Sequence, residues 1–600
     1  MPNISYYSRD FRSIRTEIIS FIKKNFPDVF NNFDDSSVGT MLIDTLAGVS
    51  ESLSYNIDRS AQENILEYAQ ERASLMAMAT TMGLRISPRH GSVTLCDFSV
   101  TVPAKANAPD MSYAPVVVVG AQVLGGGVVF ETRESIDFAS PYSQSGIPNR
   151  TIVPIYNNNA TITSYTLTKR EIVYNGRTKI FKKLINQTES RPFMEIFLPD
   201  ADVLEITDLI VLDGDFQTVP SLQEWFKDEN KWYEVESLAQ RQIFKGDLGI
   251  ATDSPQVVSG KWESITRKFI TQYTDKGFMK IIFGGGITSQ SPSDYLSNTD
   301  PLLERLTSAS NWGALGEYPA SNRTLFVKYR VGGGIRSNIG VGSFSLGDVN
   351  MVVQGANSST NTQVKVSLVA ANPIPAFGGR DELNIEEMRN LIRYNFSAQN
   401  RCVTVPDYYA KISTMPGKFG APAKLAVRSN NGFIEVTVLG MDSNRKLTNT
   451  STGTLKSNIG EYLVGYKNPN DYVVVKDGRI INIGFEIDLL VDKNYNRNDI
   501  TTTVVNSISS YFDVNTKEMG ENIYLSNLVE TINNIAGVLN VVDIRVYNKV
   551  GGEYSLNESS QSASATTGLI SVTSNTLLLG ADEIFEVKYK DKDIKVRYAT

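Results

Sequence analysis

The residue types that most often do chemistry are sparse in this 600-residue chain. His90 is the sole histidine, so an HExxH zinc site, a two-histidine metal triad or a Ser-His or Cys-His relay would have to run through it or not exist. It stands in SPRHGS, a turn setting, and reads as a structural residue. Cys96 and Cys402 lie far apart, which leaves neither a disulfide framework nor a cysteine-based zinc site and reads as a cytosolic origin. Asp213 with Asp215 and Asp200 with Asp202 have the residue types of a glycosidase pair. Nothing around either supplies the aromatic platform or apolar pocket that would raise one pKa. Among 65 acidic residues such pairs arise by chance, and DGD reads as a turn. Glycine triplets beginning at Gly125, Gly284 and Gly332 fit neither GxxxxGK(S/T) nor GxGxxG in a strand-to-helix setting, and there is no GxSxG elbow. The expectation is therefore no catalytic, cofactor-binding or metal residue, and no enzyme.

Charge narrows the partners. The chain has 58 Lys+Arg against 65 Asp+Glu, a net charge of -7, with no basic block long enough to track a phosphate backbone. KYKDKDIKVR, its most basic segment, interleaves lysine with aspartate and reads as the wet face of a hairpin. The N-terminus lacks the apolar core of a signal peptide, and no window approaches the ~20 apolar residues that span a bilayer. Direct nucleic-acid binding and membrane insertion are thus not expected.

Without a chemical centre, attention passes to the elements. Phe11, Ile14, Ile18, Phe21, Ile22 and Phe26 recur at helical spacing and stop at Pro27. After the candidate caps Asp35, Ser36 and Ser37, Val38, Leu42, Leu46, Val49, Leu53 and Ile57 fall at three- and four-residue steps, continued by Ala61, Ile65 and Tyr68. This helical stretch, which Gly83 ends, is expected to break at Gly48 or near Arg59. It carries more apolar stripe than one short domain covers, which predicts a partner helix. From Ser92 to about Leu368 the texture becomes β-branched and aromatic runs between turns, with a helical interlude around SLQEWFKDENKWYEVESLAQRQIF. LAVRSNNGFIEVTVLG predicts a hairpin turning at Asn431-Gly432. TTTVVNSISSYF and YLSNLVETINNI predict helices between the strands RIINIGFEIDLLVD and VLNVVDIRVY.

Between the β region and this C-terminal part lies AFGGRDELNIEEMRNLIRYNFSAQNRCVTVPDYYAKISTMPG. Gly378 and Gly379 precede a helix capped by Asn384, with Glu386 and Glu387 in its first turn and Ile385, Met388, Leu391, Ile392 and Phe396 as its buried stripe. Thr404 and Pro406 start a second helix that Pro416 and Gly417 end. Gly378, Gly379, Pro406, Pro416 and Gly417 mark an interdomain joint.

The expected fold is multidomain α+β: an N-terminal helical segment, a long all-β middle region and a C-terminal α/β sandwich-type domain. Its boundaries are 1–90 for the helical segment, 91–200 and 201–375 for two β domains and 376–420 for the joint. The C-terminal domain follows over 421–555, with a linker and terminal hairpin over 556–600.

The order GGRDELNIEEMRNLIRYNFSAQNR, VTVPDYYAKISTMPG, AVRSNNGFIEVTVLG resembles the baseplate J-like family, the baseplate wedge proteins of contractile-tailed, T4-like bacteriophages. The segment from VGTMLIDTLAG to TTMGLR, then GAQVLGGGVVFETRESIDF, KWYEVESL, MKIIFGGG and YRVGGGIRSNIGVG are similar to its other elements, in collinear order. This chain has Gly285 where the family often has Asp. The resemblance spans segments from about residue 36 to 440. It implies a structural subunit of the virion tail baseplate, assembled in the host cytoplasm and without a cofactor. It further implies pairing as a wedge homodimer, a sixfold ring around the tail tube that couples host attachment to sheath contraction, and N-terminal helices bundled with other wedge proteins. The sheath initiator is a further expected partner. A tail-spike that binds or cleaves host glycans is the rival from another class, but no fixed strand repeat supports it.

Overall fold

The computed structural model describes residues 10–28, 30, 32–34, 37–143, 148–158, 161–247, 259–285, 315–398, 401–430, 433–449, 453–559, 568–570 and 575–598. The chain divides into two compact units, residues 1–86 with 383–396 and residues 87–382 with 397–600. The expected helical N-terminus and β-rich body are both present.

In the first unit, α1 (Phe11–Asn25) starts at Asp10, whose carboxylate accepts the Ser13 N–H at 2.7 Å. It pairs with α2 (Val38–Glu63), Ser37 serving as cap. Phe11 N–H meets the Glu51 carboxylate at 3.3 Å and Arg15 meets Asp44 at 2.5 Å, so the helices run antiparallel. The α2 helix passes through Gly48 unbroken and ends at Glu63. The break comes there because the Glu63 carboxylate accepts the N–H groups of Gln70 and Glu71, each at 3.0 Å, and so caps the next helix, α3 (Arg72–Thr81). The Ile385–Ala398 helix, through Phe396, belongs to this unit. Asn384 and Glu387 cap it reciprocally, side chain to backbone N–H in both directions, at 2.8 and 3.0 Å.

The second unit begins with an eight-stranded sheet. Strand Val93–Lys105 runs antiparallel to Ile162–Asn175, and its alternation turns Cys96, Phe98, Val100 and Val102 inward against Phe130, Phe138 and Leu167. A seven-stranded sheet then runs from Arg177–Ile185 to Arg323–Val331, after which Phe344–Leu346 and Val369–Ala371 return to the first sheet. The β region is therefore not divided at 200/201. Residues 177–185 and 195–201 pair inside the second sheet, which is inserted between strands of the first. The helical interlude is only Leu222–Phe226. Lys231–Glu234 is a strand, because Trp232 packs edge-on against Phe283 at 5.1 Å in that sheet's core.

Two further sheets follow. Lys424–Asn430 and Phe433–Met441 form the expected hairpin, Tyr472–Asp477 adds in parallel, and helices Val405–Ser413 and Gly453–Val464 cover a core containing Tyr408, Val436, Val438 and Ile459. The turn residues Asn431 and Gly432 lie outside the described residues. In the last sheet Arg479–Val491 pairs with Val538–Asn548, and helices Arg497–Tyr511 and Leu525–Asn533 pack against it. The end of the chain is not a hairpin. Glu583–Glu586 and Ile594–Tyr598 each pair in parallel with Arg479–Val491, burying Phe585 and Ile594 in its core.

Candidate partner-helix interface and interdomain joint

Helix α2 carries two distinct faces. Thr40, Ile43, Ala47 and Ser54 are buried. Val38, Leu42, Leu46, Val49, Leu53 and Ile57 are all exposed, between 55% and 71%, and Met41 beside them is 58% exposed. At about 100° per residue the mean directions of the two faces lie about 120° apart. The larger apolar side chains thus point away from the helix's own packing, along a seam of about 29 Å from Val38 to Ile57. Phe21 and Phe26 on the first helical hairpin are also exposed and stack edge-on at 6.2 Å. An isolated exposed leucine needs no explanation, but an unbroken stripe of this length is the pattern of an interaction face.

The joint residues fall into two groups. Pro406 sits in the first turn of the Val405–Ser413 helix, which the Asp407 carboxylate caps by accepting the N–H groups of Val403 and Thr404 at 3.0 and 2.8 Å. Gly378, Gly379, Pro416 and Gly417 lie where the chain segments around residues 87–93, 334–340, 376–381 and 415–421 cross. Gly378 has φ +97° and its Cα packs against Gly420, so a side chain fits neither the backbone nor the space. A Cβ at Gly379 would stand 2.3 Å from Ser337 Oγ. Gly91 N–H donates to the Gly417 carbonyl at 3.0 Å, and Ala421 N–H to that of Gly378 at 2.8 Å.

Asn338 binds this crossing together. Its amide donates to the carbonyls of Gly379 (2.9 Å) and Met441 (2.8 Å) and accepts the Gly379 N–H (2.8 Å), all out of solvent. Nearby, buried Arg330 donates to Glu205 at 3.0 Å and to the carbonyls of Tyr174 and Asn175 at 2.7 and 2.5 Å, tying the two large sheets. Neither residue was singled out in the sequence. A buried Asn in the SNIG turn after a glycine triplet was the available signal for the first.

Arg389 has the corresponding role in the first unit. It donates to the carbonyls of Leu66 (2.8 Å) and Ala69 (2.7 Å) and to the Glu386 carboxylate, fixing the turn that ends α2. Met388, Leu391 and Ile392 are buried as expected, whereas Ile385 and Phe396 are 37% and 66% exposed.

The other residues considered for chemistry are held in structural roles. Burial works against the Asp200 carboxylate, but hydrogen bonds from Lys179 (2.6 Å) and Tyr329 (2.5 Å) outweigh it and hold it below the usual range. Asp202 is paired with Arg89 and Asp213 with Arg323, both at 2.6 Å, and Asp215 receives Gln217 at 2.7 Å. For Asp200, a general acid's role would need the opposite shift. Burial pushes the thiols of Cys96 and Cys402 up to about 12, far from a nucleophile's range. His90 is buried and makes one side-chain hydrogen bond, Nε2 to the Met415 carbonyl at 3.0 Å. Among the described residues no group of His, Cys, Asp or Glu is arranged to hold a metal ion, and no helix is long and apolar enough to cross a membrane.

Residues 10–81, which include the whole exposed stripe, match the family described as "Bacteriophage baseplate protein, N-terminal domain". The match supports a structural part for this chain in a phage tail baseplate. No curated protein matches the chain. Two solved structures are similar at low TM-scores. The first, the cryo-EM structure of the anti-feeding prophage baseplate, is 9% identical over 96% of this chain and 90% of that one, with TM-score 0.28. The second, the type VI secretion system TssK-TssF-TssG baseplate subcomplex, is 10% identical over 73% of this chain and 96% of that one, with TM-score 0.26.

Proposed function

We propose that this chain is a non-enzymatic wedge subunit of a contractile phage tail baseplate, of the baseplate J-like kind. In this reading it pairs as a homodimer, and wedges join into a ring around the tail tube that couples host attachment to sheath contraction. The face formed by Val38, Leu42, Leu46, Val49, Leu53 and Ile57 docks a helix of another wedge protein, and the sheath initiator lies within reach of the ring. Gly378, Gly379, Pro406, Pro416 and Gly417 form the joint that carries the C-terminal layers, which we read as an α/β sandwich-type domain. The subunit is assembled in the host cytoplasm and acts in the virion without touching nucleic acid or entering a membrane. One observation carries the proposal: the stretch that matches the baseplate N-terminal domain contains the row of exposed apolar side chains from Val38 to Ile57 on α2. Lysine cross-linking and mass spectrometry on intact particles tests it. Cross-links from Lys23 and Lys24, at the exposed end of α1, to a different tail protein are expected. Links confined to copies of this chain would contradict the heterotypic docking.

A further inference from the structure

The crossing at the joint contains the chain's sole histidine. We propose that His90 is an acid-sensitive pin, whose protonation releases the crossing between the first β sheet and the segment 415–421. Its backbone is built into the crossing: N–H to the Arg380 carbonyl at 3.0 Å, and carbonyl accepting from Gly334 (3.0 Å) and Arg380 (3.3 Å). The residue as a whole keeps 3% of its surface exposed, and Nε2–H donates to the Met415 carbonyl. Nδ1 is buried without a hydrogen-bond partner. That arrangement suits a neutral imidazole only. A proton on Nδ1 adds a second donor with no acceptor and a charge with no water, and each is unfavourable in a buried site.

The surrounding charges do not rescue it. The segments that meet here carry Arg89, Arg336, Arg380, Asp381 and Lys418. Asp381 already accepts the Ile335 N–H at 3.1 Å and pairs with Arg445 at 3.6 Å, and Asp202 on the neighbouring sheet is taken by Arg89. A histidinium would therefore join a mostly cationic set. Burial, with Arg380 adding to it, accordingly holds the imidazole down at about 4. The folded-state value lies below the ordinary 6.5, so the stabilisation is complete above about pH 6.5 and is lost as pH falls toward 4. Within that window the open population of the crossing should rise by up to about tenfold per pH unit.

Because no other histidine is present, the imidazole Cε1–H resonance of the full chain reports this residue alone. We expect it to titrate below about pH 5 in the folded chain, or to jump to the unfolded shift as the crossing opens. Amide-exchange protection at Gly91, Val93 and Ala421 should fall between pH 6.5 and 4.5, by up to about a hundredfold. In H90Q, whose amide can still donate to Met415 but does not titrate, that protection should be flat with pH. A folded-state titration near 6.5, or the same pH dependence in wild type and H90Q, would overturn the proposal. If H90Q does not fold, the wild-type titration alone decides.

Discussion

Replacing Leu46 and Leu53 together with aspartate separates an interaction face from a core face. In the chain alone these side chains are 61% and 57% exposed, so little packing is lost within it. The main local effect is helix propensity, which for Leu→Asp is about 0.5 kcal/mol each, or about 1 kcal/mol together. In an assembly that covers the stripe, more than half of each leucine surface is newly buried, worth about 1–1.5 kcal/mol per side chain. Two carboxylates placed in an apolar seam add several kcal/mol more unless they are protonated or escape to water. A loss of about 6 kcal/mol is therefore expected in assembly, more than 10⁴-fold, against about 1 kcal/mol in the chain. Circular dichroism and urea unfolding of the purified double variant read the second quantity. Complementation of a strain lacking the protein, scored as infectious particles and tails in negative stain, reads the first. L46M with L53M is the control and should assemble within a few-fold of wild type. Destabilisation of the chain by 3 kcal/mol or more would make the stripe part of its own core, and normal tails would mean that no partner covers it.

Three other perturbations test the structure elsewhere. Arg389→Met strands the Leu66 and Ala69 carbonyls and should destabilise the N-terminal helical unit by about 3–5 kcal/mol, seen as rapid proteolysis between residues 63 and 72. Asn338→Leu keeps the volume but removes three buried hydrogen bonds at the crossing, so the urea midpoint of the β-rich unit should drop by the equivalent of about 2–4 kcal/mol. Hydrogen bonds from Arg428 and Lys476 hold the Glu435 carboxyl down at about 2. Its stabilisation is therefore present above about pH 4.5 and lost as pH falls toward 2, and Glu435→Gln should flatten that part of the acid-unfolding curve measured by fluorescence.

Local patterns were legible and long-range pairings were not. The α2 stripe and the Asn384 cap follow from residue type and spacing alone, because each is set by neighbours within a few residues. Gly48 and the region around Arg59 were both candidate breaks in α2; the helix passes Gly48 and ends just beyond Arg59, where Glu63 captures two N–H groups seven and eight residues ahead. Ile385 and Phe396 share the period of Met388 and Ile392 yet stay exposed, since periodicity names apolar positions and not which neighbour covers them. The insertion of one sheet into the other was hidden because strand 177–185 finds its partner about 140 residues later, at 323–331. The partners of Arg330 and Asn338 were hidden for the same reason: most are backbone carbonyls far along the chain, and the SNIG turn marks Asn338 without naming what it binds.

A baseplate subunit has a fixed place in the particle, and labelling this chain with antibody on particles from its source, viewed by electron microscopy, locates it. Label in a ring at the distal end of a contractile tail is expected. Label on projecting fibres, or particles with tails and no label, would contradict that placement.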